Sequence, residues 1–133
     1  MQQLILLIAL AIAPVLTGCA APFVGAAGAL VATEVLENET HIAHFNLEAD
    51  DLWHSAKRTA SHASLEPIVV DEDLRTIEAK LDGAVVYIGV ETFDIRKSVL
   101  RVAARKYGMV NGEIANVMLT KIVDDLESEP ENL

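Results

Sequence analysis

Apolar and polar positions fall into three regimes along the chain. Residues 4–16 (LILLIALAIAPVL) hold thirteen consecutive apolar side chains. That is the length of an export-signal core and short of the roughly 20 residues that span a bilayer. Pro14 near its end stops a long continuous helix. Residues 20–33 are uncharged and rich in Ala and Gly, which predicts a tether. Gly25 and Gly28 are one residue short of a Gly-x-x-x-Gly spacing, and their smallness leaves close packing against another helix as a second reading.

From about residue 39 the pattern becomes periodic. Residues 41–47 alternate, with Ala43, Phe45 and Leu47 on one side, which predicts a strand. Asp50 and Asp51 stand at the favourable positive end of a helix over 50–64. Leu52, Ala56, Ala60 and Ala63 share its apolar face with Trp53 at the margin, while His54, Lys57, Arg58 and Ser61 face water. Residues 67–71 read as a strand and Asp71-Glu72-Asp73 as a turn. Residues 75–81 alternate cleanly, and Asp82-Gly83 predicts a hairpin into a strand over 84–93. Asp94 breaks that strand and 98–106 forms another. Asn111 then caps a closing helix to about 127, with Ile114, Met118, Leu119 and Ile122 as its apolar side.

The order is strand, helix, four strands, helix. Short connections make the sheet mainly antiparallel, with both helices on one face. The expected fold is therefore α+β, a two-layer sandwich of about five strands and two helices. The expected organisation is a signal peptide over 1–18, Cys19 and a tether over 19–38, the domain over 39–127 and an acidic tail over 128–133.

The single cysteine follows the apolar run in Leu16-Thr17-Gly18-Cys19. A peptidase that admits an extended backbone before a cysteine needs small side chains there. This stretch resembles the lipobox of bacterial lipoproteins. The resemblance implies cleavage between Gly18 and Cys19, a thioether-linked diacylglycerol on Cys19 and an acyl chain on its new amino terminus. Ala20 in place of Asp implies outer-membrane rather than inner-membrane retention. Two or more acyl chains at ~0.8 kcal/mol per buried methylene make a stable anchor. With one cysteine there is no intramolecular disulfide.

Residues 16 to about 127 also resemble a family of small bacterial lipoproteins catalogued as a domain of unknown function. The points of likeness are Leu-Thr-Gly-Cys, Trp53 in the first helix and Val-Leu-Arg-Val at 99–102 in the last strand. The resemblance implies location and fold, and brings no catalytic residues with it.

Charge narrows the function classes. The net charge is −10, and none of it lies in residues 1–18, which contain no ionisable side chain. Such a chain is a poor nucleic-acid binder and is not drawn generally to anionic membrane surfaces. The basic residues are unevenly placed, however: five of the ten fall between Arg96 and Lys106. Lys97, Arg101 and Arg105 are four apart on a strand, so they share a face opposite Leu100, Val102 and Ala104. Val85, Tyr87, Glu91 and Phe93 of the preceding strand join them there. Aromatic and arginine side chains together on an uncovered sheet face have the composition of a binding surface. An ordinary solvated face, with Glu78, Lys80 and Glu91 pairing across strands, is the plainer reading.

Catalytic signals are weak beside this. The sequence has no Gly-x-Ser-x-Gly elbow and no glycine-rich phosphate loop. Asp71-Glu72-Asp73 is too short for a calcium loop. Ser55, Ser61 and Ser64 near His62 read as polar residues on a wet helix face, and Trp53 reads as core rather than as a ligand-stacking ring. His41 and His44 point to opposite faces of their strand. The expectation is therefore a non-enzymatic, lipid-anchored binding or structural module of the bacterial envelope, facing the periplasm. Its candidate face is Tyr87, Phe93, Lys97, Arg101 and Arg105, and its partners are an envelope protein, a glycan or a lipid head group. Two alternatives stay open: a metal-handling or hydrolytic periplasmic enzyme using His44, His54 and His62, and a self-associating lipoprotein joined at an exposed sheet edge.

Overall fold

The computed structural model describes residues 29–128. Gly18 and Cys19, and with them the expected signal peptide, cleavage site and lipid anchor, lie outside the described residues.

The elements run β1 (Leu30–Val35), β2 (His41–Phe45), α1 (Ala49–Ala63), β3 (Val69–Asp71), β4 (Thr76–Leu81), β5 (Ala84–Asp94), β6 (Lys97–Lys106), β7 (Met109–Val110) and α2 (Gly112–Ser128). All strand pairs are antiparallel, in the order β1-β2-β6-β5-β4-β3, with β7 hooked onto the end of β6. Both helices lie on one face of this sheet, as the sequence pattern predicts. Among the described residues no helix is long and apolar enough to cross a membrane.

Local chemistry explains the connections. Asp82 and Gly83 both adopt positive φ, 51° and 78°. That is the type I′ turn whose twist matches a hairpin, and Asp and Gly are the residues that enter it at least cost. Asn111 caps α2 through its Oδ1, which accepts the N–H of Ile114 at 3.1 Å. Asp71 Oδ1 accepts the N–H groups of both Asp73 and Leu74 at 3.0 Å, so the acidic triplet is the expected turn.

The sheet has seven strands rather than about five. β1 occupies part of the stretch expected as tether. The uncharged, alanine- and glycine-rich composition of residues 20–33 suggested a linker, but Val31, Thr33 and Val35 are β-branched at alternate positions and favour a pleated strand. β1 pairs with β2 from Val35 opposite His41 to Leu30 opposite Phe45. The second addition, β7, is only two residues long and follows a hairpin at Tyr107-Gly108, where φ is again positive at both positions.

The core fills the space between sheet and helices. Ile77 and Ala79 of β4, Val86, Ile88 and Val90 of β5, and Leu100, Val102 and Ala104 of β6 meet Leu52, Trp53, Ala56 and Ala60 of α1. Met118, Leu119 and Ile122 of α2 close the other half. Ala56 and Ala60 are fully buried; their small size lets α1 lie close to the sheet.

The interface between the helices departs from the wet-face reading of α1. Ser55 is fully buried, and its hydroxyl donates to Asp125 Oδ2 at 2.7 Å. Arg58 donates to the same carboxylate through Nε at 3.2 Å and Nη2 at 2.6 Å. α1 thus has two covered faces, one apolar toward the sheet and one polar toward α2. The apolar period exposes only the first.

Candidate binding site on the open sheet face

Strand register determines which side chains share the face opposite the helices. Glu34, Ile42, Arg101, Gly89, Thr76 and Asp71 are successive cross-strand partners from β1 to β3. Ala103, Tyr87, Glu78 and Val69 form the neighbouring row. Arg101, Gly89, Thr76 and Asp71 of the first row and all four residues of the second line a groove of about 510 Å³, entered also by Thr40. Glu34 and Ile42 lie outside it, and Ile42 is buried. Its floor is low because Gly89 and Ala103 carry almost no side chain. A Cβ placed on Gly89 would meet nothing within 4 Å.

The predicted face is thus a concave surface in part. Tyr87, 43% exposed, and Arg101 both line the groove. Arg105 lies one step beyond, opposite Val85, whose other partner is Lys80. Lys97 is exposed at the opposite end of β6, where it pairs with Asp94 next to a register irregularity. Phe93 sits at that irregularity and is 72% exposed. The five residues therefore do not form one patch: Tyr87 and Arg101 are at the groove, Arg105 near its edge, and Lys97 and Phe93 at the β5–β6 turn.

The charge of the face also differs from a basic stripe. Arg101 Nε donates to Glu91 Oε1 at 3.1 Å, a diagonal pair across the strands. Lys80 pairs with Glu66 at 2.8 Å, and that carboxylate holds its ammonium above the usual lysine range. Asp71 and Glu78 line the groove beside Arg101. The groove accordingly offers one cation, two carboxylates, a tyrosine and two threonine hydroxyls over an apolar floor. Such a set pairs well with a protein segment that carries both charges and poorly with a purely anionic head group or glycan.

Gly89, Asp71 and Glu78 were not among the expected site residues. The signal for Gly89 was present: a glycine inside the apolar run 84–90 marks a place where something approaches the backbone. Asp71 and Glu78 reach the site only through the pairing of β3 with β4 and of β4 with β5, which periodicity within one strand does not specify.

The remaining candidates are distributed over both layers. His44 is on the open face, 3.8 Å from Glu34. His54 and His62 are exposed on α1, on the other side of the sheet, so the three histidines of the metal reading are divided by it. Among the described residues no three metal-ligating groups converge. Trp53 is 4% exposed and its Nε1–H donates to Glu72 Oε2 at 2.7 Å, which places it in the core with its polar tip satisfied. Lys57 adds a 3.0 Å pair to Glu72 and lies 5.2 Å from the indole centre. The Trp53 hydrogen bond, then that of Lys57, hold the Glu72 carboxyl below the usual range.

No protein-family model matches the sequence, and none of the curated proteins matches it.

Proposed function

We propose that this protein is a lipid-anchored, non-catalytic binding module of the bacterial envelope that holds a protein partner against its open sheet face. The observation that carries the reading is the groove itself: a concave, uncovered stretch of sheet with Tyr87 and Arg101 over a glycine floor. Tyrosine and arginine are the side chains that supply most contact energy at protein interfaces. The mixture of Asp71, Glu78 and Arg101 selects a partner by complementary charges on both sides.

The proposed anchor sets the working geometry. From Cys19 to Ala29 the chain spans at most about 35 Å when fully extended. The domain would therefore work within a few tens of ångströms of the bilayer, where membrane-associated partners are concentrated and even a weak site is occupied.

Two measurements test the reading. A photo-crosslinking residue at position 87 of the full-length protein, irradiated in intact cells, is expected to give one dominant protein adduct. A control at Lys57, on the helix side, is expected to give none. Adducts to lipid or glycan alone, or equal labelling from both positions, would refute the protein-partner reading. The anchor is tested separately: Cys19→Ser is expected to leave the uncleaved precursor without incorporated fatty acid. Unchanged incorporation would remove the lipid from the proposal without touching the groove.

A further inference from the structure

A second concavity lies on the helix layer, and it is the larger, at about 760 Å³. It runs between β1 and α2. Its origin is a mismatch of widths. Six strands side by side at about 4.8 Å cover roughly 29 Å, whereas two helices about 10 Å across cover only about 20 Å. α1 rests on β4, β5 and β6, and α2 on β6, β2 and β5. Neither edge strand is among those the helices rest on, and β1 has six residues against three in β3. Among the described elements the longer uncovered strip is therefore at the β1 side, and it is about one helix wide.

The strip is apolar below and acidic above. Leu30, Val35, Leu119 and Val123 supply its apolar floor. Glu34, Glu39, Glu113, Asp124 and Glu127 surround it, and among the described residues no lysine or arginine lines it. Two of the five carboxylates have internal tasks. Glu39 Oε2 accepts the N–H of Gly112 at 2.9 Å, and Glu34 stands 3.8 Å from His44. The other three project from α2 without an ion pair among the described residues. They form a line along the helix: at 100° per residue Glu113, Asp124 and Glu127 fall within an arc of roughly 60°. From Glu113 to Glu127 the line is roughly 21 Å long, or four turns.

We propose that this groove is a docking site for one basic amphipathic helix of a partner protein. The apolar stripe of that helix covers the floor beside α2, at the 8–10 Å spacing of packed helices. Its lysines or arginines meet the carboxylate line. The rim charge selects the occupant. An uncharged segment such as residues 20–28, or a second copy of a chain with net charge −10, leaves these carboxylates uncompensated. A helix of about 14 residues matches the length of the line. The site is on the opposite layer from the open-face groove and does not depend on it.

The probe is a fluorescein-labelled 14-residue peptide of leucine and lysine in helical amphipathic order, titrated into the full-length protein in detergent and followed by anisotropy. A leucine–glutamate peptide of the same pattern is the negative control. The leucine–lysine peptide is expected to bind saturably with one-to-one stoichiometry, and the leucine–glutamate peptide not at all. Glu113→Lys/Asp124→Lys/Glu127→Lys should weaken binding more than tenfold. Asp51→Lys/Glu66→Lys/Asp73→Lys, which changes net charge equally at exposed positions outside both grooves, should weaken it less than threefold. Thr120→Trp, which fills the groove at an exposed α2 position without changing charge, should weaken it more than tenfold while far-UV circular dichroism stays unchanged. Equal losses in the two charge-reversed proteins would reduce the effect to general attraction and overturn the proposal. So would binding that appears only after residues 20–28 are deleted, which would make the occupant the chain's own segment. A dimer that the Glu113/Asp124/Glu127 reversal converts to monomer would assign the groove to a second copy and overturn it as well.

Discussion

Gly89 separates stability from binding, and Gly89→Val is the substitution that uses this. Glycine inside a strand is costly: it loses the most backbone entropy on folding and contributes no side-chain contact. At position 89 the geometry gives no local reason for it. Its φ is not in the left-handed region, and a Cβ would meet no atom within 4 Å. Its cross-strand partners are Thr76 and Arg101, both on the open face. Replacing glycine by a residue with a Cβ at a compatible position stabilises by about 0.4–1 kcal/mol through the unfolded chain alone. A β-branched side chain adds up to about 1 kcal/mol of strand preference. The expected gain is about 1 kcal/mol, or roughly 4–8 °C in Tm for a domain of this size. Valine also fills the low point of the groove between Tyr87 and Arg101, so crosslinking from position 87 should fall sharply. The assays are urea unfolding of the full-length protein and the crosslinking yield in cells. Destabilisation by Gly89→Val would show that the position is sterically closed and refute the geometric argument. Stabilisation with undiminished crosslinking would leave the fold argument standing and refute the groove as the binding site.

Three further substitutions probe the frame that holds these surfaces. Asp125→Asn should destabilise by about 1–2 kcal/mol, because Arg58 and buried Ser55 lose a charged acceptor. Arg58 holds the Asp125 carboxyl below its ordinary value, with Ser55 assisting. A depressed folded-state pKa contributes stability that is present above the unfolded value, near pH 4, and lost as pH falls through the folded value. The gap in urea midpoint between wild type and Asp125→Asn should therefore be widest at pH 5–7 and narrow below pH 4; a gap that widens on acidification would contradict the assignment. Asn111→Ala removes the cap of α2 and should cost about 1 kcal/mol in urea unfolding. Ser98→Ala should stabilise by about 1 kcal/mol, since the Ser98 hydroxyl is buried without a hydrogen-bond partner among the described residues; a lower urea midpoint would count against that.

The legible part of the fold was the part written in local signals. Asp82-Gly83 fixed a hairpin, and with it the β4–β5 register; Asn111 fixed the start of α2; the alternation in 75–81 and 84–90 separated the faces of β4 and β5. What escaped was either too short or compositionally disguised. β7 has two residues, below any periodic window, and β1 begins inside the uncharged, alanine-rich stretch 20–33 that reads as a linker. At the site, position along one strand placed Tyr87, Arg101 and Arg105 on the open face. Whether they stand alone or among carboxylates depends on which strands are neighbours. The sequence order β4-β5-β6 happens to be the spatial order too, but β2 inserts beside β6 from far upstream, and β3 brings Asp71 to the groove. Phe93 shows the other limit. The register irregularity between Thr92 and Asp94 carries the end of β5 out of step, so the nominal face of Phe93 is not continuous with that of Tyr87. Lys97 keeps the phase of Arg101 but stands at the far end of β6.

The same sheet thus bears a mixed-charge groove on one face and an acid-rimmed one on the other, and the turn from β1 into β2 borders both. Thr40 enters the open-face groove, while its neighbours Glu39 and His41 line the groove against α2. β1 is an edge strand, and the edge of a sheet is its least constrained part. A ligand that packs between β1 and α2 restricts Glu39 and His41, and with them the backbone that carries Thr40 into the other groove. Occupation of one groove should therefore change the affinity of the other by the free energy of ordering that shared turn, and the change must be reciprocal. The leucine–lysine peptide is the means to measure it. With the peptide saturating, photo-crosslinking yield from position 87 in purified membranes should shift relative to the peptide-free sample. The shift should vanish in Thr120→Trp, where the peptide no longer binds. An identical yield with and without bound peptide would show that the turn is already fixed by its own hydrogen bonds, Leu36 N–H to Thr40 O and Glu39 N–H to Leu36 O, and that the two faces act independently.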